Sequence, residues 1–140
     1  MDRISYIEVA GKKYPLSLSL GATKEICNKF GSMKEMQKAL SDTENLAGLI
    51  DTLTYVMEVL IRQGCAYINA FGKYLPKEKD LAVDEDGKCV PITQELLEVY
   101  IDFNNAPKLI EAVVGALGLS QTTEIEAESK EKNAEAPQEA

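Results

Sequence analysis

NLAGLIDTLTYVMEVLIRQGCAYINAF, residues Asn45 to Phe71, decides how the rest of this chain has to fold. Its apolar or small residues recur at Leu46, Ile50, Leu53, Met57, Leu60, Gly64, Tyr67 or Ile68, and Phe71. The steps alternate between three and four, the a/d period of a helix with one buried seam. Leu49, Val56 and Ile61 widen that seam into a face, as in a helix packed within a globular bundle. At about 1.5 Å per residue the helix would run roughly 40 Å, the length of a small domain. Every other element must then be short enough to pack beside it. Asp51, Glu58, Arg62 and Asn69 interrupt the stretch at helical spacing, which argues against a membrane span.

The chain has 140 residues, the size of one domain able to bury its own core. A hydrophobic content of 45% fits a folded protein, and a net charge of −8 argues against a nucleic-acid binder. No apolar run follows Met1-Asp2-Arg3, so no signal peptide is expected and the expected location is the cytoplasm. Cys27, Cys65 and Cys89 share no C-x-x-C spacing and leave one thiol over in any disulfide scheme. Inert, buried thiols in a reducing compartment are the expectation. Charge is uneven along the chain. Residues 1–40 carry seven cations against four anions, a net of +3, which leaves −11 for the remainder. Lys24, Lys29, Lys34 and Lys38 are a candidate basic patch, suited to an acidic partner or to head-to-tail self-association.

The front of the chain is strand-like. Ile4 to Val9 and Tyr14 to Leu20 are expected as two strands joined at Ala10-Gly11-Lys12-Lys13, with Tyr14, Leu16, Leu18 and Leu20 on one face. Pro15 cannot donate to a ladder, so its strand is an edge or turns that position to solvent. Two strands alone are marginal in water, so the hairpin must lie on helices. Ala22, Ile26 and Phe30 then mark a short helix ending at Gly31. Ser32-Met33-Lys34-Glu35 has the form of a capping box, opening a helix with Met33, Met36 and Leu40 inward. Ser41-Asp42-Thr43 offers the cap of the long helix.

Beyond it, Leu81-Ala82-Val83 and Lys88-Cys89-Val90 flank an Asp86-Gly87 turn, and a second small hairpin is the economical account. A calcium loop there is excluded: with Gly87 at the turn position, the first ligand falls on Ala82 and the bidentate glutamate position on Thr93. Thr93 can cap a helix through about Phe103, buried by Leu96, Leu97, Tyr100 and Ile101. Asn104-Asn105 interrupts it, and Pro107 starts a last helix, Lys108 to Leu119, that is apolar on nearly every face. Leu109, Ile110, Val113, Val114 and Leu117 are therefore either core or a candidate partner-binding surface. From Ser120 the composition turns to Glu, Ala, Ser, Lys, Gln and Pro, with six glutamates against two lysines, and a disordered acidic tail is expected. The fold class is thus mainly α (α+β): residues 1–119 as one helical domain with an N-terminal hairpin on a bundle built around one long helix, and residues 120–140 as the tail.

Catalytic signatures are missing. There is no histidine, no Gly-rich phosphate loop, no G-x-S-x-G elbow and no paired-carboxylate motif. A non-enzyme without cofactor or metal is expected, its function lying in binding.

Gly11-Lys12-Lys13-Tyr14-Pro15-Leu16-Ser17-Leu18-Ser19-Leu20-Gly21-Ala22, then Glu25-Ile26 and Phe30-Gly31-Ser32, resembles the opening of the tail assembly chaperones of long-tailed bacteriophages and related prophages. That family typically starts with a hairpin, a Gly-Ala turn into a short helix, and Phe-Gly at its end. The resemblance covers the first third of the chain; the helical remainder and the acidic end agree in kind. It implies a protein of the bacterial host cytoplasm that binds the tape measure protein, keeps it competent while tail tube subunits polymerise, and is absent from the mature virion. It further implies a longer form, made by ribosomal frameshifting, whose extension recruits the tail tube protein. Glu131-Lys132-Asn133 can be encoded by a slippery heptamer in the correct phase and is the candidate slip site. Two other classes compete with this reading. One is a host cytoplasmic helical adaptor or dimerisation module that uses the 45–71 seam as a coiled coil. The other is a small enzyme with a carboxylate or cysteine site in a cleft.

Overall fold

The computed structural model describes residues 4–118, without the side chain of Tyr74, and is organised around one 26-residue helix, α3 (Leu46–Phe71). The expected tail, residues 120–140, with the slip site Glu131-Lys132-Asn133 and the boundary at 119, lies outside the described residues. Chain order is β1 (Ser5–Val9), β2 (Lys12–Leu16), α1 (Leu20–Phe30), α2 (Met33–Ser41), α3, a short 3-10 turn (Gly72–Tyr74), α4 (Gln94–Tyr100) and α5 (Ala106–Leu117). The hairpin packs on a five-helix bundle, and α3 touches β2 and all four other helices. From Leu49 to Cys65, α3 is buried on most sides, with Val56, Met57, Val59, Leu60 and Ile61 wholly enclosed. Its seam holds in the middle, at Leu53, Met57, Leu60 and Gly64, but Leu46, Ile50 and Phe71 at the two ends are exposed.

The hairpin turns on two residues rather than four. Ala10 and Gly11 both have positive φ, 53° and 80°, the two-residue turn whose twist matches that of the strands. Strand β2 therefore begins at Lys12, pairing with Val9, and ends at Leu16 opposite Ser5. It does not reach Leu20. Ser17 donates its N–H to the Leu60 carbonyl of α3 at 3.1 Å, and Ser19 caps α1, accepting from the Ala22 N–H at 3.0 Å. Leu20 is then the first residue of α1 and is 89% exposed.

Pro15 explains how a strand can lie directly on a helix. Of the backbone positions turned away from β1, 13 and 15 lie in β2 and 17 just beyond its end. Lys13 donates its N–H to Asp80 and its carbonyl accepts from Ala82; Ser17 bonds to α3; Pro15 between them has no N–H to leave unsatisfied. There the strand meets Gly64, where a Cβ would lie 2.6 Å from the Pro15 carbonyl oxygen. Only glycine allows that approach.

Ser32 caps α2, accepting from the Glu35 N–H at 3.1 Å, but the reciprocal half of the capping box is not made: the Glu35 carboxylate pairs with Lys38 instead. Asn45 rather than the 41–43 stretch caps α3, accepting from the Gly48 N–H at 3.1 Å. The second hairpin is reduced to a single bridge, Val83 with Cys89, plus a bridge from Leu81 to Lys13. Helix α4 stops at Tyr100, three residues short of expectation, and only Leu97 of it is buried. Pro107 lies in the first turn of α5, which starts two residues earlier than expected, at Ala106. No helix of the described residues is long and apolar enough to cross a membrane.

Candidate functional site

Three segments border a groove of about 360 Å³: the start of α3 and, some fifty residues on, the end of α4 with its following turn and the start of α5. Leu49 and Leu53 form its floor, with Ile50, Ile101, Phe103 and Ile110 among its walls. Phe103 is 82% exposed. A ring left so bare costs hydrophobic free energy that burial against a partner would recover, about 2 kcal/mol for a side chain of this size. On α4 itself, Leu96 and Val99, one turn apart, are also exposed. An apolar groove of this kind suits the apolar face of a second helix.

A polar network holds the walls in place. Gln94 donates through Nε2 to Asp51 Oδ1 and to Thr54 Oγ1, each at 3.1 Å. Thr54 Oγ1 also lies 3.2 Å from Glu98 Oε2. Glu58 accepts from the Gln94 N–H at 2.9 Å, so a carboxylate sits at the first turn of α4, where the helix dipole favours it. Beyond Tyr100 the turn is locked reciprocally: Asp102 Oδ1 accepts from the Asn104 and Asn105 N–H groups, and Asn105 Oδ1 accepts from the Asp102 N–H. Phe103 therefore projects from a braced turn.

The rim is acidic. Glu98 and Asp102 line the groove, and Asp51, Glu58 and Glu95 line the recess beside it. Among the described residues, no lysine or arginine lines either one. Two larger recesses, each of about 560 Å³, carry mixed linings that include Lys13, Lys73, Lys77 and Lys108; neither has the continuous apolar wall of the groove.

The residues singled out from the sequence are distributed differently. Leu109, Val113 and Leu117 form the buried stripe of α5, and Val113 is fully enclosed. Of the two readings of this helix, core or partner surface, these three positions take the first, although Leu109 also borders the recess lined by Tyr6 and Lys13. Ile110 lines the groove, and Val114 is half-buried elsewhere on the helix. Of the basic patch, Lys24 and Lys34 are exposed, Lys38 pairs with Glu35 at 3.2 Å, and Lys29 lies 4.8 Å from the Tyr55 ring centre. None of the four lines the groove. Leu96 and Tyr100, expected as core, are exposed. The signal for the missed surface was present: seven-residue α4 and its turn carry more apolar side chains than so short a helix can bury.

Among the described residues, no group of three or more His, Cys, Asp or Glu side chains could hold a metal ion. In the Asp84–Gly87 turn, Asp84 Oδ1 accepts from the Asp86 and Lys88 N–H groups. Comparison with protein-family models, with curated proteins and with solved structures gives no match to this chain.

Proposed function

We propose that this chain is a non-enzymatic, client-holding protein of the tail assembly chaperone type, which shelters helical segments of a tape measure protein in the host cytoplasm. The observation that carries the proposal is the braced apolar groove with its acidic rim and exposed Phe103, with Leu96 and Val99 also exposed on α4. An amphipathic helix can lay its apolar stripe there while basic side chains on its flanks meet Glu98, Asp102 and Asp51. The opening that resembles the family is in keeping with this: a hairpin, then α1 with Gly21-Ala22 in its first turn and closed at Phe30-Gly31, where Gly31 has φ 94°. Recruitment of the tail tube protein by a longer form belongs to the same proposal. The rival reading, dimerisation through the 45–71 seam, would need Leu53, Met57 and Leu60, which the chain's own core already occupies.

Co-expression with the tape measure protein tests it. The expected result is that the long client stays soluble with the wild-type chain and aggregates with Phe103→Asp, while that variant melts as the wild type does. Loss of one buried aromatic anchor should weaken binding by roughly 30-fold or more, and raised salt should weaken the wild-type complex. Equal client solubility with and without the wild-type chain refutes the proposal.

A further inference from the structure

Cys65 and Cys89 come from different parts of the fold, yet their sulfurs lie 2.9 Å apart. Both are free thiols and both are buried. Their closeness is imposed by the backbone. One turn after Cys65 on α3, Asn69 takes both main-chain polar groups of Cys89: its Nδ2 donates to the Cys89 carbonyl at 3.0 Å and its Oδ1 accepts from the Cys89 N–H at 2.8 Å. The side-chain amide acts as a strand edge and fixes Cys89 over Cys65 independently of the state of the sulfurs. The Val83–Cys89 bridge and the bonds of Lys13 to Asp80 and Ala82 anchor the same segment from its other side.

We propose that Cys65 and Cys89 form an oxidisable dithiol, a site of reversible disulfide formation by exchange with a low-molecular-weight disulfide. The two sulfurs need to approach by only about 1 Å to reach bonding distance. Either sulfur can be the donor in this contact, and the thiolate that forms first is held by the remaining S–H. Cys89 is carried by the 81–90 segment, whose opening brings its sulfur to solvent while Cys65 stays on α3, so Cys89 is the sulfur that attacks. Its thiolate attacks one sulfur of the small disulfide, forming a mixed disulfide and releasing one small thiolate. Cys65 then passes its proton to solvent and attacks Cys89 Sγ, releasing the second. Two protein thiols are oxidised to one disulfide, and the small disulfide is reduced to two thiols. The product staples the C-terminal part of α3 to the 81–90 segment. Because both sulfurs are buried, exchange proceeds through opening of that segment, whose tip at Asp84–Lys88 is exposed.

The test uses the full chain as Cys27→Ser, leaving two thiols, equilibrated with millimolar oxidised glutathione from the reduced and from the oxidised side. Both thiols should disappear together, with a Cys65–Cys89 cross-linked peptide two hydrogens lighter, a melting temperature several degrees higher, and full reversal by dithiothreitol. The further variant Cys65→Ala should keep glutathione on Cys89 and gain no stability. If Cys27→Ser is poorly folded, the same cross-linked peptide is sought in the wild-type chain. Two titratable thiols at equilibrium, a cross-link to Cys27 instead, or a cross-linked form that melts no higher than the reduced one overturns the proposal.

Discussion

Replacing Gly64 with alanine should destabilise the fold, although alanine is the better helix former. A Cβ at this position would lie 2.6 Å from the Pro15 carbonyl oxygen, 2.7 Å from its carbonyl carbon and 2.9 Å from its Cβ. Ordinary contact begins near 3.4 Å, so helix and strand would have to part by most of an ångström. Neither can give easily. Strand β2 is tied to α3 through Ser17 and Leu60 at 3.1 Å, to Asp80 and Ala82 through Lys13, and to β1 through its ladder. Overpacking of this kind costs about 1–3 kcal/mol, and the upper end applies where backbone is the obstacle. Stretching the Ser17–Leu60 hydrogen bond adds about 0.5–1 kcal/mol. Helix propensity returns about 1 kcal/mol. The balance is a loss of about 2.5–3 kcal/mol, or roughly 10–12 °C in melting temperature for a domain of this size. Gly115→Ala is the control. Gly115 is exposed on α5, and a Cβ added there would meet nothing within 4 Å, so the substitution should gain about 0.5–1 kcal/mol. Thermal melts of the two variants beside the wild type decide the matter. A Gly64→Ala protein that melts at or above the wild type refutes the close approach of β2 to α3.

Val113→Asp should unfold the domain in circular dichroism rather than merely weaken partner binding, because an unpaired carboxylate at a fully enclosed site costs several kcal/mol. Stability should fall at alkaline pH. Burial raises Tyr14 and Tyr55 above 10.0, and the hydrogen bond to Glu78 raises Lys13 above 10.5. A group whose folded value is raised contributes stability that is complete below its unfolded value and lost as pH climbs through the folded one. Urea midpoints should therefore be insensitive to these groups below about pH 9.5 and decline above pH 10; a midpoint that rises above pH 10 contradicts the assignment. If the longer form is made at Glu131-Lys132-Asn133, the gene must read AAA at Lys132 with an open −1 frame beyond it, which sequencing the gene checks directly; AAG there excludes slippage at that site.

Local chemistry made much of this fold legible, and non-local chemistry made the rest illegible. The a/d spacing of Leu53, Met57, Leu60 and Gly64 identified the central helix because a single buried seam needs that period. Gly11 located the first turn because glycine tolerates the positive φ it needs, and Pro107 marked the start of the last helix because its fixed φ suits a first turn. The end of β2 was misjudged for a different reason. Alternation from Tyr14 to Leu20 favours continued strand, but Ser19 donates to Gln63 Oε1 at 2.6 Å, a partner 44 positions away, and caps α1 instead. Helix α5 posed an ambiguity that composition cannot resolve. It is apolar all round, and only packing against α3 and β1 selects Leu109, Val113 and Leu117 as its inner stripe. The groove was hidden because its walls come from residues 46 to 110 and exist only once α4 and α5 lie across the start of α3.

Photo-cross-linking from the groove tests the central claim most directly. Phe103 is replaced by a benzophenone-bearing amino acid in the full chain, co-expressed with the tape measure protein, with the same replacement at Lys24 on the exposed face of α1 as the comparison. The groove account predicts cross-links from position 103 to helical, basic-flanked segments of the client and few or none from position 24. Cross-links to the client from position 24 with none from position 103 would contradict it.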